Sequence, residues 1–266
     1  MKFSSYTDTA LLAAKKGASV LLKYYNSGIL NVEYKGEVNP VTQADRNSQK
    51  KIIKEIKNIF PQHGILAEEG EINEIEIKKE YCWIIDPLDG TVNFVHSLPM
   101  FCISIGLKFK NEIISGIIYS PIMKEIFVAE KNKGAWLNGK KIRVSKTEDA
   151  IRALAVTGFP YYIKKDSMRV TRNFTNIMLK TQGIRRLGAA ALDMAYVACG
   201  RFDFFWEEGL KPWDIAAGIL IVKEAGGEIS DYSGLDDSIV FKDTMLASNG
   251  SALHKAILQI ISEKKL

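Results

Sequence analysis

The chain has 266 residues, 47% of them hydrophobic, enough to bury a substantial core in one large domain or two small ones. Its formal charge of +5 is spread over short basic pairs (Lys15-Lys16, Lys50-Lys51, Lys140-Lys141, Lys164-Lys165, Arg185-Arg186, Lys264-Lys265) interleaved with acids. That pattern reads as solvated surface with a weak preference for anionic partners and argues against a nucleic-acid module. The apolar runs Ile113 to Tyr119 and Ile215 to Val222 fall well short of the ~20 residues that span a bilayer, so no membrane segment is expected. Met1 to Asp8 lacks the apolar core of a secretory signal, which makes the cytoplasm the expected location. Cys82, Cys102 and Cys199 are widely spaced in apolar sequence and suit reduced core thiols.

In chain order, Thr7 to Tyr25 places Leu11, Ala14, Ala18, Leu21 and Leu22 on one helical face. After the start signal Asn39-Pro40-Val41-Thr42, a second helix is predicted from Gln43 to Phe60, with Ile52, Ile53, Ile56 and Ile59 inward and Pro61 ending it. Strands are predicted at Ile65 to Ala67, Cys82 to Ile85, Cys102 to Phe109 and, after an Asn111-Glu112 turn, Ile113 to Tyr119. This meander favours a mixed or antiparallel sheet. Asn138-Gly139 marks a hairpin. Beyond it, strands and helices alternate: Leu154 to Thr157, a helix from Met168 to Lys180, Gly183 to Arg186, a helix from Ala189 to Ala198, Phe202 to Trp206, a helix from Pro212 to Glu224, Glu228 to Ser230, and a terminal helix from Ala252 to Glu263. The expectation is an α/β (α+β) protein with helix and sheet in layers, a single domain over 1–266 whose halves, about 1–145 and 146–266, join near Val144 to Ala150.

The most informative segment is Asp86-Pro87-Leu88-Asp89-Gly90-Thr91. Pro87 stiffens the turn and biases Asp86 towards extended geometry, so the strand is expected to end at Ile85. Gly90 permits close backbone approach, and Asp89 occupies an expected helix N-cap beside the free N–H groups of Gly90, Thr91 and Val92. Cation ligands and anion donors would then share one turn. Three more acids stand out: Glu68 at the carboxyl end of a strand, Asp214 opening a helix after Pro212-Trp213, and Asp45 in a first helical turn. Taken singly, each of them is better explained by helix capping or a solvated loop than by function. His63, His96 and His254 lack ligand partners at helical spacing, Arg185-Arg186 reads as a surface pair in preference to one that reaches a substrate or a partner subunit, and Phe202 to Trp206 reads as a buried strand.

Taken together, Trp83 to Phe94, Trp213 to Gly218 with Glu224-Ala225-Gly226-Gly227, Asn39 to Asp45, Ala67 to Gly70 and Gly134 to Gly139 resemble the inositol monophosphatase family of metal-dependent, lithium-sensitive phosphatases over nearly the whole chain. The resemblance implies a layered α-β-α-β-α sandwich of the inositol monophosphatase and sugar phosphatase type. It implies that Glu68, Asp86 and the Leu88 carbonyl hold one Mg²⁺, and that Asp86, Asp89 and Asp214 hold a second. Glu68 and water would hold a weaker third, and Mn²⁺ is a possible substitute. It also implies direct attack of metal-bound water on a small phosphate monoester, with Glu68, Thr91 and Asp45 in the catalytic machinery. Thr91 would align or deprotonate the water, and its hydroxyl would be held by Asp45. The N–H groups of Gly90 and Thr91 would bind phosphate, and Glu207, Asp89 and the backbone of Gly188, Ala189 and Ala190 would contact the substrate.

Similar proteins form homodimers. Inositol 1-phosphate is the expected substrate, with fructose 1,6-bisphosphate, 3'-phosphoadenosine-5'-phosphate or a non-catalytic role in binding nucleic acid or protein as alternatives. Four converging carboxylates would repel a phosphate dianion unless divalent cations cancelled their charge.

Overall fold

The computed structural model describes residues 2–28, 32–35, 39–160, 163, 167–236 and 239–263; Lys164-Lys165 and Lys264-Lys265 lie outside them. The helices are α1 (Ser5–Ser27), α2 (Gln43–Ile59), α3 (Glu74–Lys78), α4 (Thr91–Val95), α5 (Ser167–Lys180), α6 (Ala190–Ala198), α7 (Pro212–Glu224) and α8 (Ser251–Ser262). The strands are β1 (Val32–Lys35), β2 (Asn39–Thr42), β3 (Gly64–Ala67), β4 (Tyr81–Asp89), β5 (Cys102–Phe109), β6 (Glu112–Ser120), β7 (Glu125–Glu130), β8 (Gly134–Leu137), β9 (Lys140–Ile142), β10 (Leu154–Thr157), β11 (Gly183–Arg185), β12 (Phe204–Glu208), β13 (Glu228–Ser230) and β14 (Thr244–Ser248).

Among the described residues, β3 to β9 form one sheet in chain order, parallel at β3–β4 and antiparallel thereafter, as the meander predicts. A second, mixed sheet has the order β11-β10-β12-β14-β13. Side chains of β4 alternate between two cores: Trp83 and Ile85 pack with α1 and α2, whereas Cys82 and Ile84 join the apolar cluster around α6 and α7. Both α6 and α7 touch both sheets, and α5 and α8 pack together beyond the second. The layers are therefore α1 and α2, the first sheet, α6 and α7, the second sheet, and α5 and α8: the expected α-β-α-β-α sandwich.

Backbone proximity sets the middle layer. Gly106 of β5 and Gly116 of β6 are cross-strand partners. A Cβ on Gly106 would lie 2.9 Å from the Cβ of Ala216, and one on Gly116 would lie 2.8 Å from the Ala217 carbonyl oxygen. Two side-chain-free positions side by side thus let α7 lie directly on the sheet.

Several local expectations change. Strand β4 does not stop at Ile85 but runs to Asp89 through a register shift between Asp86 and Asp89, because the chain resumes pairing with Cys102 after Pro87. Asp89 is thus a strand residue, and the N-cap of α4 is Gly90 at φ +89°. Asn39 to Thr42 is a strand paired with β1, with Thr42 capping α2. Ile59 is exposed because α2 ends beside it, leaving Ile52 and Ile56 as the inward pair. Sequence reading did not isolate β14, which joins β12 to β13.

His63 is stacked between Phe60 and Tyr81 and accepts a hydrogen bond from Trp83 Nε1, and His254 is buried between Ser230 and Ser248; both play packing roles. The cysteines are free, with Cys82 and Cys102 buried. No described helix is long and apolar enough to cross a membrane.

Candidate active site

Sheet register assembles the acids. Parallel pairing of β3 with β4 ends at Ala67 opposite Ile85, and the Glu68 N–H donates to the Ile85 carbonyl, so Glu68 emerges beside Asp86. Asp86 pairs with Ser104 of β5, whose hydroxyl donates to the Trp213 carbonyl at 3.1 Å. This draws the start of α7, and hence Asp214, to the same place. Asp89 pairs with Cys102 and accepts from the Ala191 N–H at 2.8 Å, which ties β4 to the start of α6. Asn93 Nδ2 donates to the carbonyls of Met100 and Leu187, fixing the chain just before Gly188. One cleft of about 310 Å³ is the result. Its lining includes Glu68, Asp86, Leu88, Asp89, Gly90, Thr91, Gly188, Ala189, Ala190, Glu207 and Asp214. Asp45 lies beneath it, fully buried.

Asp45 serves two elements at once. Its Oδ2 accepts from the Thr42 N–H at 2.8 Å and from the Thr42 hydroxyl, completing a capping box for α2. Its Oδ1 lies 3.2 Å from the Thr91 hydroxyl, which is also 3.0 Å from the Leu88 carbonyl. Both neighbours are acceptors, so the Thr91 proton points away from the cleft and the oxygen's lone pairs are left to face it.

Burial raises the carboxyl pKa values of Asp45, Asp86, Asp89, Glu207 and Asp214, since it penalises charge. Asp45 is pushed up to about 6, principally by burial and against the hydrogen bonds from Thr42. Asp86 rises well above the carboxylate range through burial and repulsion from Glu68, Asp89 and Asp214. Asp214 does so through burial and Asp89, and Asp89 reaches about 6 despite its backbone donors. Glu207 is pushed up to about 8 by burial, then by Asp214 and Asp89, with Arg186 opposing. Its carboxyls outnumber the two cations beside them, Arg186 and Lys211.

Its donor set fits a hard divalent cation, being made of carboxylates and a backbone carbonyl with no sulfur or imidazole ligand. Among the described residues, no three acidic, histidine or cysteine side chains enclose an ion as they stand. Instead, Asp86, Asp89 and Asp214 each commit an oxygen to a backbone N–H, from Leu88, Ala191 and Lys211 respectively.

Sequence reading missed part of this lining. Arg186, expected with Arg185 on the surface, lines the cleft, because β11 ends at Arg185 and the next residue turns towards Gly188. Asp193, Gly158 and Lys211 also line it. Asp193 had a signal: it is the one charged residue in the otherwise apolar helix Ala190–Ala198. Gly158 had none.

A layered sandwich with an acid-lined cleft at the meeting of its two sheets is the architecture of a phosphatase, and comparison with known proteins gives the family. The inositol monophosphatase family model matches residues 3–266. The chain is 38% identical over 251 residues to the inositol-1-monophosphatase of Mesorhizobium japonicum, covering 94% of this chain and 93% of that protein. It is 39% identical over 258 residues to the Nus factor SuhB of Pseudomonas aeruginosa, covering 96% and 94%. The solved inositol monophosphatase of Anabaena superimposes with a TM-score of 0.85 at 37% identity, covering 97% of this chain and 95% of that one. The chain belongs to the inositol monophosphatase family.

Proposed function

We propose that this phosphatase hydrolyses inositol 1-phosphate with Mg²⁺ as its cofactor. The carrying observation is the convergence of Glu68, Asp86, Asp89 and Asp214 on a cleft that also presents the Thr91 hydroxyl, backed by Asp45. Glu68, Asp86 and the Leu88 carbonyl would hold one ion, and Asp86, Asp89 and Asp214 another. Bound there, divalent cations would neutralise the carboxylates, lower the pKa of a water and stabilise the leaving oxygen. Glu68 would also orient the attacking water through the ion-binding side of the cleft.

The protein's own groups supply positioning. With its proton turned towards Asp45 and Leu88, Thr91 accepts a hydrogen bond from an incoming water and orients it, and Asp45 is the carboxylate that would take the Thr91 proton as Thr91 takes one from the water. The Gly90 and Thr91 N–H groups would receive phosphate oxygens. Glu207, Asp89 and the backbone from Gly188 to Ala190 share the same lining and would contact the alcohol part of the substrate. Direct attack requires no protein nucleophile, which agrees with the burial of the two cysteines nearest the cleft strands. Homodimer formation, lithium sensitivity and a cytoplasmic location belong to the same proposal.

A panel of phosphate-release assays tests the substrate. Inositol 1-phosphate should turn over faster than fructose 1,6-bisphosphate or 3'-phosphoadenosine-5'-phosphate, and the reverse order would refute the reading. A second role in partner binding is favoured by one observation, the similarity to a Nus factor SuhB. Salt-dependent RNA or protein binding that survives Asp214→Asn would support it.

A further inference from the structure

Asp193 sits in the first turn of α6, only 1% exposed, and neither of its carboxylate oxygens has a hydrogen-bond partner among the described residues. Buried polar groups are almost always paired, and an orphaned carboxylate lowers stability, so its presence calls for a role. Its backbone is fixed as ordinary helix by donation to the Ala189 carbonyl. The residue is part of the lining of the cleft that holds Glu207 and Arg186. Nearby, Glu207 lies against Gly158, where a Cβ would come within 2.3 Å of both Glu207 oxygens. The absence of a side chain at 158 therefore makes room for a second carboxyl on this wall.

Asp193 and Glu207 offer acceptors, and among the charged groups acting on them Asp89 is a further acid while Arg186, itself exposed, is the cation. A phosphate group would be repelled here, whereas several hydroxyl donors close together would satisfy both carboxyls.

We propose that Asp193 is a specificity-determining residue that accepts hydrogen bonds from hydroxyls of a polyhydroxylated leaving group beside Glu207. This rests on the phosphomonoesterase reading above. It sets the orientation of the substrate: phosphate towards Gly90 and Thr91, the hydroxyl-rich end towards β12 and α6. A leaving group without hydroxyls leaves Asp193 orphaned and gains nothing from it.

The test compares kcat/KM for inositol 1-phosphate and for p-nitrophenyl phosphate, whose leaving group carries no further hydroxyl, in wild type, Asp193→Ala and Asp193→Asn with Mg²⁺. The wild-type preference for inositol 1-phosphate should fall about tenfold or more in Asp193→Ala, mostly through KM. Asp193→Asn, which keeps one acceptor oxygen, should fall between. Both variants should melt no lower than wild type, since each removes an orphaned carboxylate. A preference within twofold of wild type in both variants would overturn the inference whatever happens to absolute rates. If Asp193→Ala does not fold, the isosteric Asn variant decides. Wild-type enzyme that cleaves p-nitrophenyl phosphate but not inositol 1-phosphate would overturn the functional reading, and the inference with it.

Discussion

Replacing Asp45 by Asn should separate catalysis from folding, because under the proposed function the carboxylate serves both and the two effects have opposite signs. At neutral pH the buried Asp45 must hold its charge although its pKa is pushed from 3.8 up to about 6. A shift of about two units corresponds to roughly 3 kcal/mol of native-state destabilisation above pH 6. The sign follows from the raised value: the folded chain binds this proton more tightly, so the penalty is present above pH 6 and disappears as pH falls towards 4. Asparagine carries no such penalty. Its amide oxygen can still accept from Thr42, at a loss of about 1 kcal/mol for exchanging a charged acceptor for a neutral one. The variant should therefore melt at or above the wild-type temperature at pH 7.

Its amide nitrogen, however, must then face Thr91 and donate to it, turning the hydroxyl proton towards Leu88 and removing the anion behind it. Loss of a general base or its support typically lowers rates 10²–10⁴-fold. Steady-state kcat measured beside thermal unfolding would show activity falling while Tm holds. A kcat within threefold of wild type, or kcat and Tm falling together, would refute the reasoning.

The remaining predictions concern the metal cluster and the framework that places it. Asp214→Asn and Asp89→Asn should abolish turnover while leaving the far-UV spectrum native; near-normal phosphate release in either would remove that residue from the proposed ligand set. Gly116→Ala places a Cβ 2.8 Å from the Ala217 carbonyl oxygen, which is helix backbone and cannot rotate away. It should cost about 1–3 kcal/mol and lower kcat by displacing Asp214, and an unchanged denaturation midpoint would contradict the close approach of α7 to the sheet.

Glu130 accepts from the Ser4 N–H, the Ser4 hydroxyl and the Thr7 hydroxyl and pairs with Lys133, tying the start of α1 to β7. Burial alone would raise its pKa, but these partners outweigh it and hold the value near 2. A depressed carboxyl stabilises above its unfolded value near 4.5 and loses that contribution as pH falls towards 2. Glu130→Gln should accordingly cost about 1–3 kcal/mol at pH 7 and little at pH 2, read from denaturation midpoints, and a difference that grows in acid would contradict the assignment.

The meander, the α6–α7 layer and the terminal helix were legible in the sequence because periodicity and the Asn138-Gly139 turn are local signals. The acids, too, were legible, but only as members of separated motifs. Their convergence depends on the β3–β4 register and on the Ser104 hydroxyl reaching Trp213, neither of which leaves a local trace. The extension of β4 through Asp86 and Pro87 was hidden for a related reason: proline suggests an end, whereas the cross-strand partners Ser104 and Cys102 carry the strand past it. Gly106, Gly116 and Gly158 are ordinary glycines in sequence, and only packing reveals what a side chain there would strike. Asp193 was visible as a charge within an apolar helix but belonged to no motif.

Under the proposed function the carboxylate cleft works only when divalent cations cancel its charge. Phosphate release from inositol 1-phosphate, followed in wild type and Asp214→Asn across a Mg²⁺ titration and in excess chelator, measures this. Wild-type turnover should rise with Mg²⁺ and vanish in chelator, and Asp214→Asn should show no turnover at any Mg²⁺ concentration. Chelator-resistant hydrolysis by metal-free wild-type enzyme, or full activity in the variant, would contradict it.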